Sequence, residues 1–269
     1  MNHFSLHKIT DATSFTFSEE DYSLFKFGDN LVAKKFGYEL AAAFIDNVIP
    51  TMDTNKQIVV LSSPYFYIPT ATFAMKNQFV CTLNRWLALH NFNVVQEAKV
   101  HRTITYKDDY GALNAAERMQ LIGNDSFHID SVFVEGKTLI FLDDIRITGS
   151  HEKMITKMLD SFGLKNETHL LYFAELVNTS IHPNIENHLN YFKVKSINDL
   201  HPIINSGHFI INTRIVKYIL NNLANDFIAF IEMQTQQFKN ELYDMALGNN
   251  YYTIDVYKSN LAYLRTLLN

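Results

Sequence analysis

Three short runs constrain this chain most: IVVL at 58–61, TLIFL at 138–142 and HLLYFAELV at 169–177. Each is apolar without alternation and is bounded by polar or turn residues, the pattern of a strand buried on both faces. Helical spacing fills the intervals. Val32, Phe36, Leu40 and Ala43 precede the first run, and Phe73, Phe79, Leu83 and Leu87 follow it. A helix from Lys153 to Phe162 stops at Gly163, ahead of the third run. VVQEAKV at 94–100 and SFHIDSVFV at 126–134 read as further strands. Strands alternating with helices predict an α/β fold: a parallel, twisted sheet flanked by helices on both faces.

Beyond about residue 180 the period is helical throughout. Ile215, Ile219, Leu223, Phe227 and Phe230 form one stripe, and Ile254, Tyr257, Leu261, Leu264 and Leu268 another. Apolar stripes need a partner surface, so the expected organisation is an α/β domain at 1–180 carrying a mostly helical cap at 181–269.

Charge and cysteine narrow the function. Lys plus Arg total 23 against 28 Asp plus Glu, a net charge of -5 that argues against a nucleic-acid or membrane-surface binder. The single cysteine, Cys81, excludes internal disulfides and a cysteine-rich zinc site. The first residues carry no secretion signal and no run has the length of a spanning helix, so a cytoplasmic protein is expected. Only nine glycines occur, well under the roughly 7% of an average protein, which speaks against a phosphate cradle built from several glycines.

The chemistry concentrates in TLIFLDDIRITGS, residues 138–150. A buried strand delivers Asp143 and Asp144 at its carboxyl end, a turn runs through Thr148, Gly149 and Ser150, and a helix starts behind it. Ligands of open α/β sheets bind at that edge. Backbone N–H groups of the turn and the positive end of the helix suit a phosphate, while the carboxylates suit hydroxyls or a metal-bound sugar.

This stretch resembles the phosphoribosyl pyrophosphate signature of the type I phosphoribosyltransferases, and the chain is similar to their ComF-like subgroup. YSLFKFGDNLVAKKFGYELA at 22–41 is similar to the opening and first helix of that subgroup, and KVHRTITYKDDYGALNAAERMQL at 99–121 to the segment where an Arg-Thr pair precedes a mobile loop. Asn77 and Gln78 echo an Asn-Gln pair there. The resemblance covers about 20–177. It implies that Asp143 and Asp144 hold the ribose hydroxyls and share a Mg2+ brought in mainly by the substrate. It also implies that Arg146, Ile147, Thr148, Gly149 and Ser150 bind the 5-phosphate, and that Arg102 serves catalysis at the base of a loop over about 102–116 that excludes water. Ser62, Ser63, Pro64 and Tyr65 stand where the family binds pyrophosphate through main-chain amides. The implied substrates are phosphoribosyl pyrophosphate and a nitrogenous base or amine, with no dedicated general base and a homodimer left open. The zinc-ribbon cysteines of full-length ComF proteins are absent, Ala74 replaces an arginine, and Ile147 replaces a threonine.

Competing readings are blander. A haloacid-dehalogenase nucleophile needs its second acid two residues after the first, where Ile145 stands. Lys26 and Lys76 read as solvated surface charges, and Lys107, Asp108, Asp109 and Tyr110 as a surface loop or a lid tip. His128 and His151 read as ordinary hydrogen-bonding residues, and Tyr251 and Tyr252 as packing of the helical tail, with stacking on a base as the alternative. A catalytically silent sensor of a nucleotide or sugar phosphate is the alternative function. A DNA-uptake accessory gains nothing from the net charge.

Overall fold

The computed structural model describes residues 1–103 and 127–268. Its strands are β1 (Asn2–Ile9), β2 (Ile58–Ser62), β3 (Gln96–Glu97), β4 (His101–Arg102), β5 (Phe127–His128), β6 (Thr138–Arg146) and β7 (Thr168–Leu176). Five of them form one sheet in the order β1-β7-β6-β2-β3, every neighbouring pair parallel. Around it lie α1 (Glu19–Lys26), α2 (Asn30–Asn47), α3 (Ala71–Leu89), α4 (Ser131–Val134) and α5 (Ser150–Ser161). The remaining helices are α6 (Ile185–Asn190), α7 (Leu200–Ile204), α8 (Thr213–Leu220), α9 (Ala224–Glu232), α10 (Gln236–Gly248) and α11 (Asp255–Thr266).

The unalternating apolar runs are buried on both faces, as expected. Val60, Ile140, Leu142, Leu171 and Phe173 point into a core with Phe25, Phe36 and Phe79 of α1, α2 and α3. Phe36 stacks on Phe173 with ring centroids 3.9 Å apart. Their strand neighbours Val59, Leu61, Leu139, Phe141 and Leu170 enter a second core with Ile155, Met158 and Leu159 of α5. Each such side chain, fully buried, contributes on the order of 1.5–3 kcal/mol, which is why no register slip is tolerated in the central strands. The tail builds a third core from residues 194–264, which Phe27 and Ile68 enter from the α/β part.

Three readings are corrected. SFHIDSVFV is not a strand: only Phe127 and His128 pair, antiparallel to β4, and α4 follows. The Asp130 side chain accepts from the Phe133 N–H at 3.0 Å, and this cap turns the chain into a helix after two paired residues. VVQEAKV contributes only the two-residue edge strand β3. The opening residues, passed over in the sequence, supply β1 at the opposite edge, pairing with β7 from Asn2 to Ile9. In the tail, Leu223 leaves its predicted stripe; it precedes α9 and is 76% exposed. Among the described residues no helix is long and apolar enough to cross a membrane.

From β2 the chain runs outward to β3, whereas from β6 it runs the other way to β7. Crossovers that leave adjacent strands in opposite directions open a crevice above the carboxyl ends of that pair. The site lies there.

Candidate functional site

A cleft of about 520 Å³ opens over the ends of β2 and β6. Ser63, Pro64 and Tyr65 form one wall, Asp143 to Ser150 the floor and a second wall, and Arg102 joins from β4. Tyr191, Arg214, Lys217 and Asn249 close it from the helical tail. The structure thus brings together the predicted residues Asp143, Asp144, Arg102, Arg146, Ile147, Thr148, Gly149, Ser150, Ser63, Pro64 and Tyr65. Ser62 is the last residue of β2, paired with Leu142 and buried in the sheet, outside the cleft lining. The predicted lid residues 107–110 lie outside the described residues.

The two aspartates do different things. Successive strand residues face opposite sides of a sheet, so the adjacent carboxylates diverge. Asp143 accepts from Ser63 Oγ at 2.6 Å through one oxygen and meets His151 Nδ1 at 2.6 Å through the other. Asp144 turns toward the first core, accepting from the Tyr22 hydroxyl at 2.6 Å and pairing with Lys26 Nζ. Burial alone would push the Asp144 carboxyl up. The Lys26 charge and the hydrogen bonds it receives outweigh that and hold it well below the ordinary carboxylate range.

Lys26 is therefore not a solvated charge: its side chain is 11% exposed and closes an ion pair in the interior. Lys76 is also buried, paired with Glu97 and lying over the Phe73 ring. His151 is more than an incidental hydrogen-bonding residue, because burial, which lowers its pKa, is outweighed by Asp143, and the imidazole is held above its usual value. Tyr22, Thr72 and Arg214 went unread as well. Their signal in the sequence, a polar residue inside an otherwise apolar helical face, was visible for Tyr22 and Lys26. Asn77 is exposed and lies off the cleft, and Tyr251 is fully buried in the tail core.

The phosphate-turn candidate is well formed. Gly149 sits at φ +69° as the N-cap of α5, with no side chain capping the helix, and its left-handed backbone turns the chain from strand to helix. Thr148 Oγ1 and Ser150 Oγ are 2.7 Å apart. Arg146 is anchored by Glu152 and Glu175, each at 2.9 Å. At the opposite wall, Pro64 has no N–H, and the Tyr65 amide is engaged by the Val100 carbonyl at 3.4 Å. That loop offers fewer main-chain donors than its position would allow.

Glu175 carries a prediction of its own. It is 4% exposed; burial raises its carboxyl, but hydrogen bonds from Lys8 and Ser5 and the charges of Lys8 and His3 hold it below its ordinary value. A depressed carboxyl stabilises the fold above its unfolded pKa of about 4.3 and loses that contribution as pH falls through the folded value. Glu175→Gln is expected to flatten the acid limb of stability against pH, read by urea unfolding at stepped pH. An acid limb identical to that of the parent chain would contradict this.

As to a metal, no group of three His, Cys, Asp or Glu among the described residues could hold one unaided. With Asp144 engaged by Lys26 and Tyr22, Asp143 is the carboxylate placed to serve a magnesium ion, which keeps water and phosphate ligands and needs only one or two carboxylates from a protein.

A parallel α/β sheet with an acid pair and a Thr-Gly-Ser turn at the carboxyl end of a central strand agrees with the resemblance to the phosphoribosyltransferases. Residues 1–264 match the family described as PRTase ComF-like, and the chain belongs to it. Among solved structures, it is similar to an adenine phosphoribosyltransferase at 16% identity, covering 52% of this chain and 70% of that one, with a TM-score of 0.32. It is similar to a hypoxanthine phosphoribosyltransferase from Staphylococcus aureus at 12% identity, covering 61% and 78%, TM-score 0.32. A purine phosphoribosyltransferase from Pyrococcus horikoshii follows at 9% identity, covering 57% and 79%, TM-score 0.30. No curated protein matches the chain.

Proposed function

We propose that this chain binds magnesium phosphoribosyl pyrophosphate and transfers its phosphoribosyl group to a nitrogenous base or amine, releasing pyrophosphate. The observation that carries the reading is the convergence of Asp143, the Thr148–Ser150 turn and Arg102 on one cleft at the topological switch point. The turn and the first N–H groups of α5 receive the 5-phosphate, and Asp143 and Asp144 orient the ribose through its hydroxyls. As the bond from carbon 1 to the pyrophosphate oxygen breaks and the bond to the acceptor nitrogen forms, the acceptor's N–H proton passes to the departing pyrophosphate or to solvent. Arg102 offsets charge on the departing pyrophosphate. Asp143 and Asp144 would hold, together with the substrate phosphates, a magnesium ion that would supply further charge neutralisation. Residues 1–180 act as the substrate-binding domain and 181–269 as the hood over it.

The test is calorimetric titration with magnesium phosphoribosyl pyrophosphate. Asp143→Asn with Asp144→Asn is expected to abolish binding, and Asp143→Asn alone to weaken it about tenfold or more, the loss of one charged contact. Unchanged affinity would sink the assignment. A second reading, a sensor that binds without turnover, is favoured by the poor donor content of the Pro64–Tyr65 wall and by the prior engagement of Asp144 with Lys26. Pyrophosphate release across a broad panel of bases and amines separates the two.

A further inference from the structure

A row of charge crosses the sheet just ahead of the phosphate turn. Lys8 of β1, Glu175 of β7 and Arg146 of β6 are register partners on three neighbouring strands. Glu175, the buried member, accepts from Arg146 Nη1 at 2.9 Å and from Ser5 Oγ at 2.7 Å, pairs with Lys8 Nζ, and has His3 Nε2 at 3.6 Å. Arg146 carries the row into the helix, its Nε donating at 2.9 Å to Glu152 in the first turn of α5. One guanidinium thus bridges two carboxylates. Its remaining nitrogen, Nη2, stands 3.3 Å from where a Cβ on Gly149 would lie, so the group is seated against the turn itself.

The sheet itself does not need this row. A carboxylate inside a parallel sheet carries a desolvation cost that its partners only partly offset, and apolar replacement of a buried ion pair is often neutral or better. No step of the proposed transfer touches Ser5, Lys8 or Glu175. What the row does touch is the turn. A second cavity, of about 460 Å³, also borders that turn and is lined by Arg146, Thr148, Gly149 and Glu152 among others, so close packing alone does not fix the turn in place.

We infer that Glu175 is a positioning residue: held by Ser5 and Lys8 of the edge strand, it fixes Arg146, and Arg146 fixes the Thr148–Ser150 turn in the geometry that receives a phosphomonoester. This rests on the transferase reading above and adds to it a set of residues that act on the sugar phosphate without touching it. The N-terminal strand, at the edge of the sheet, thereby becomes part of the phosphate site. Arginine is required at 146 because its planar fork reaches two carboxylates in fixed directions, whereas a lysine offers a single point charge.

The test is calorimetric titration with two probes: ribose 5-phosphate, which reports on the turn, and magnesium pyrophosphate, which reports on Arg102 and the opposite wall. Glu175→Gln and Arg146→Lys are each expected to weaken ribose 5-phosphate by about 2- to 30-fold, the range for residues that act on a site through a chain of contacts, and to leave pyrophosphate affinity unchanged. The double variant is expected to be no weaker than the worse single one, because both changes break the same chain. Ser5→Ala removes one bond to Glu175 at the sheet edge and is expected to give a smaller loss, again confined to ribose 5-phosphate; it decides the matter if Glu175→Gln does not fold. Unchanged ribose 5-phosphate affinity, equal weakening of both probes, or losses that multiply in the double variant overturn the inference, as does a parent chain that binds magnesium phosphoribosyl pyrophosphate but not ribose 5-phosphate. A parent chain that binds neither overturns the transferase reading instead.

Discussion

Replacing Asp144 by asparagine is expected to destabilise the chain by about 3–5 kcal/mol, the range seen when one partner of a buried ion pair is removed. Asparagine keeps the shape and still accepts from the Tyr22 hydroxyl, so the lost element is the countercharge to Lys26. The Lys26 side chain is 11% exposed, so the charge left without its partner is largely withheld from water. Lys26→Met with Asp144→Asn is expected to recover much of the loss, because apolar replacement of both partners is often neutral or better. Urea unfolding of the parent, both single variants and the double variant closes the cycle. A loss below about 1 kcal/mol for Asp144→Asn would show the pair to be as weak as a surface one. The pair also bears on function: a ribose hydroxyl approaching Asp144 meets a carboxylate already engaged, so Lys26→Met should alter sugar-phosphate affinity as well as stability.

The sheet was legible because burial on both faces leaves an unmistakable imprint: 58–61, 139–142 and 170–174 are unbroken apolar or aromatic runs. Asp143 and Asp144 stood out for that reason. What stayed hidden was their divergence, since neighbouring acids in a sequence look like one clamp, and only the pleat sends one to Ser63 and His151 and the other to Tyr22 and Lys26. Lys26 was misread because a lysine at the end of an amphipathic helix is ordinarily solvated, and its partner lies 118 residues away. SFHIDSVFV failed on local chemistry, the Asp130 cap overriding strand propensity.

Gly28→Ala is expected to cost about 3 kcal/mol or more, from two separable sources: about 1–2 kcal/mol for forcing a side chain into left-handed backbone and about 1–3 kcal/mol for overpacking. Gly28 sits at φ +90°, and a Cβ there would lie 2.4 Å from the Ile210 carbonyl oxygen and 2.8 Å from Ile215 Cδ1. That carbonyl cannot retreat. Ile210 N–H donates to the Gly28 carbonyl at 2.9 Å, Asn30 N–H to the His208 carbonyl at 3.2 Å, and Asn212 Nδ2 to the Lys26 carbonyl at 3.2 Å. The 208–212 strap is thus laced to 26–30, and it is where the helical tail grips the α/β part. Gly136 supplies the control: it sits at φ +74° with nothing within 4 Å of an added Cβ, so Gly136→Ala carries the backbone strain alone. The difference between the two variants in urea unfolding measures the clash at Gly28, and equal losses would refute it. Because the same strap bonds the carbonyl of Lys26, the Gly28 variant should also loosen the Lys26–Asp144 pair, so its loss and that of Asp144→Asn should fail to add when combined, as coupled sites do.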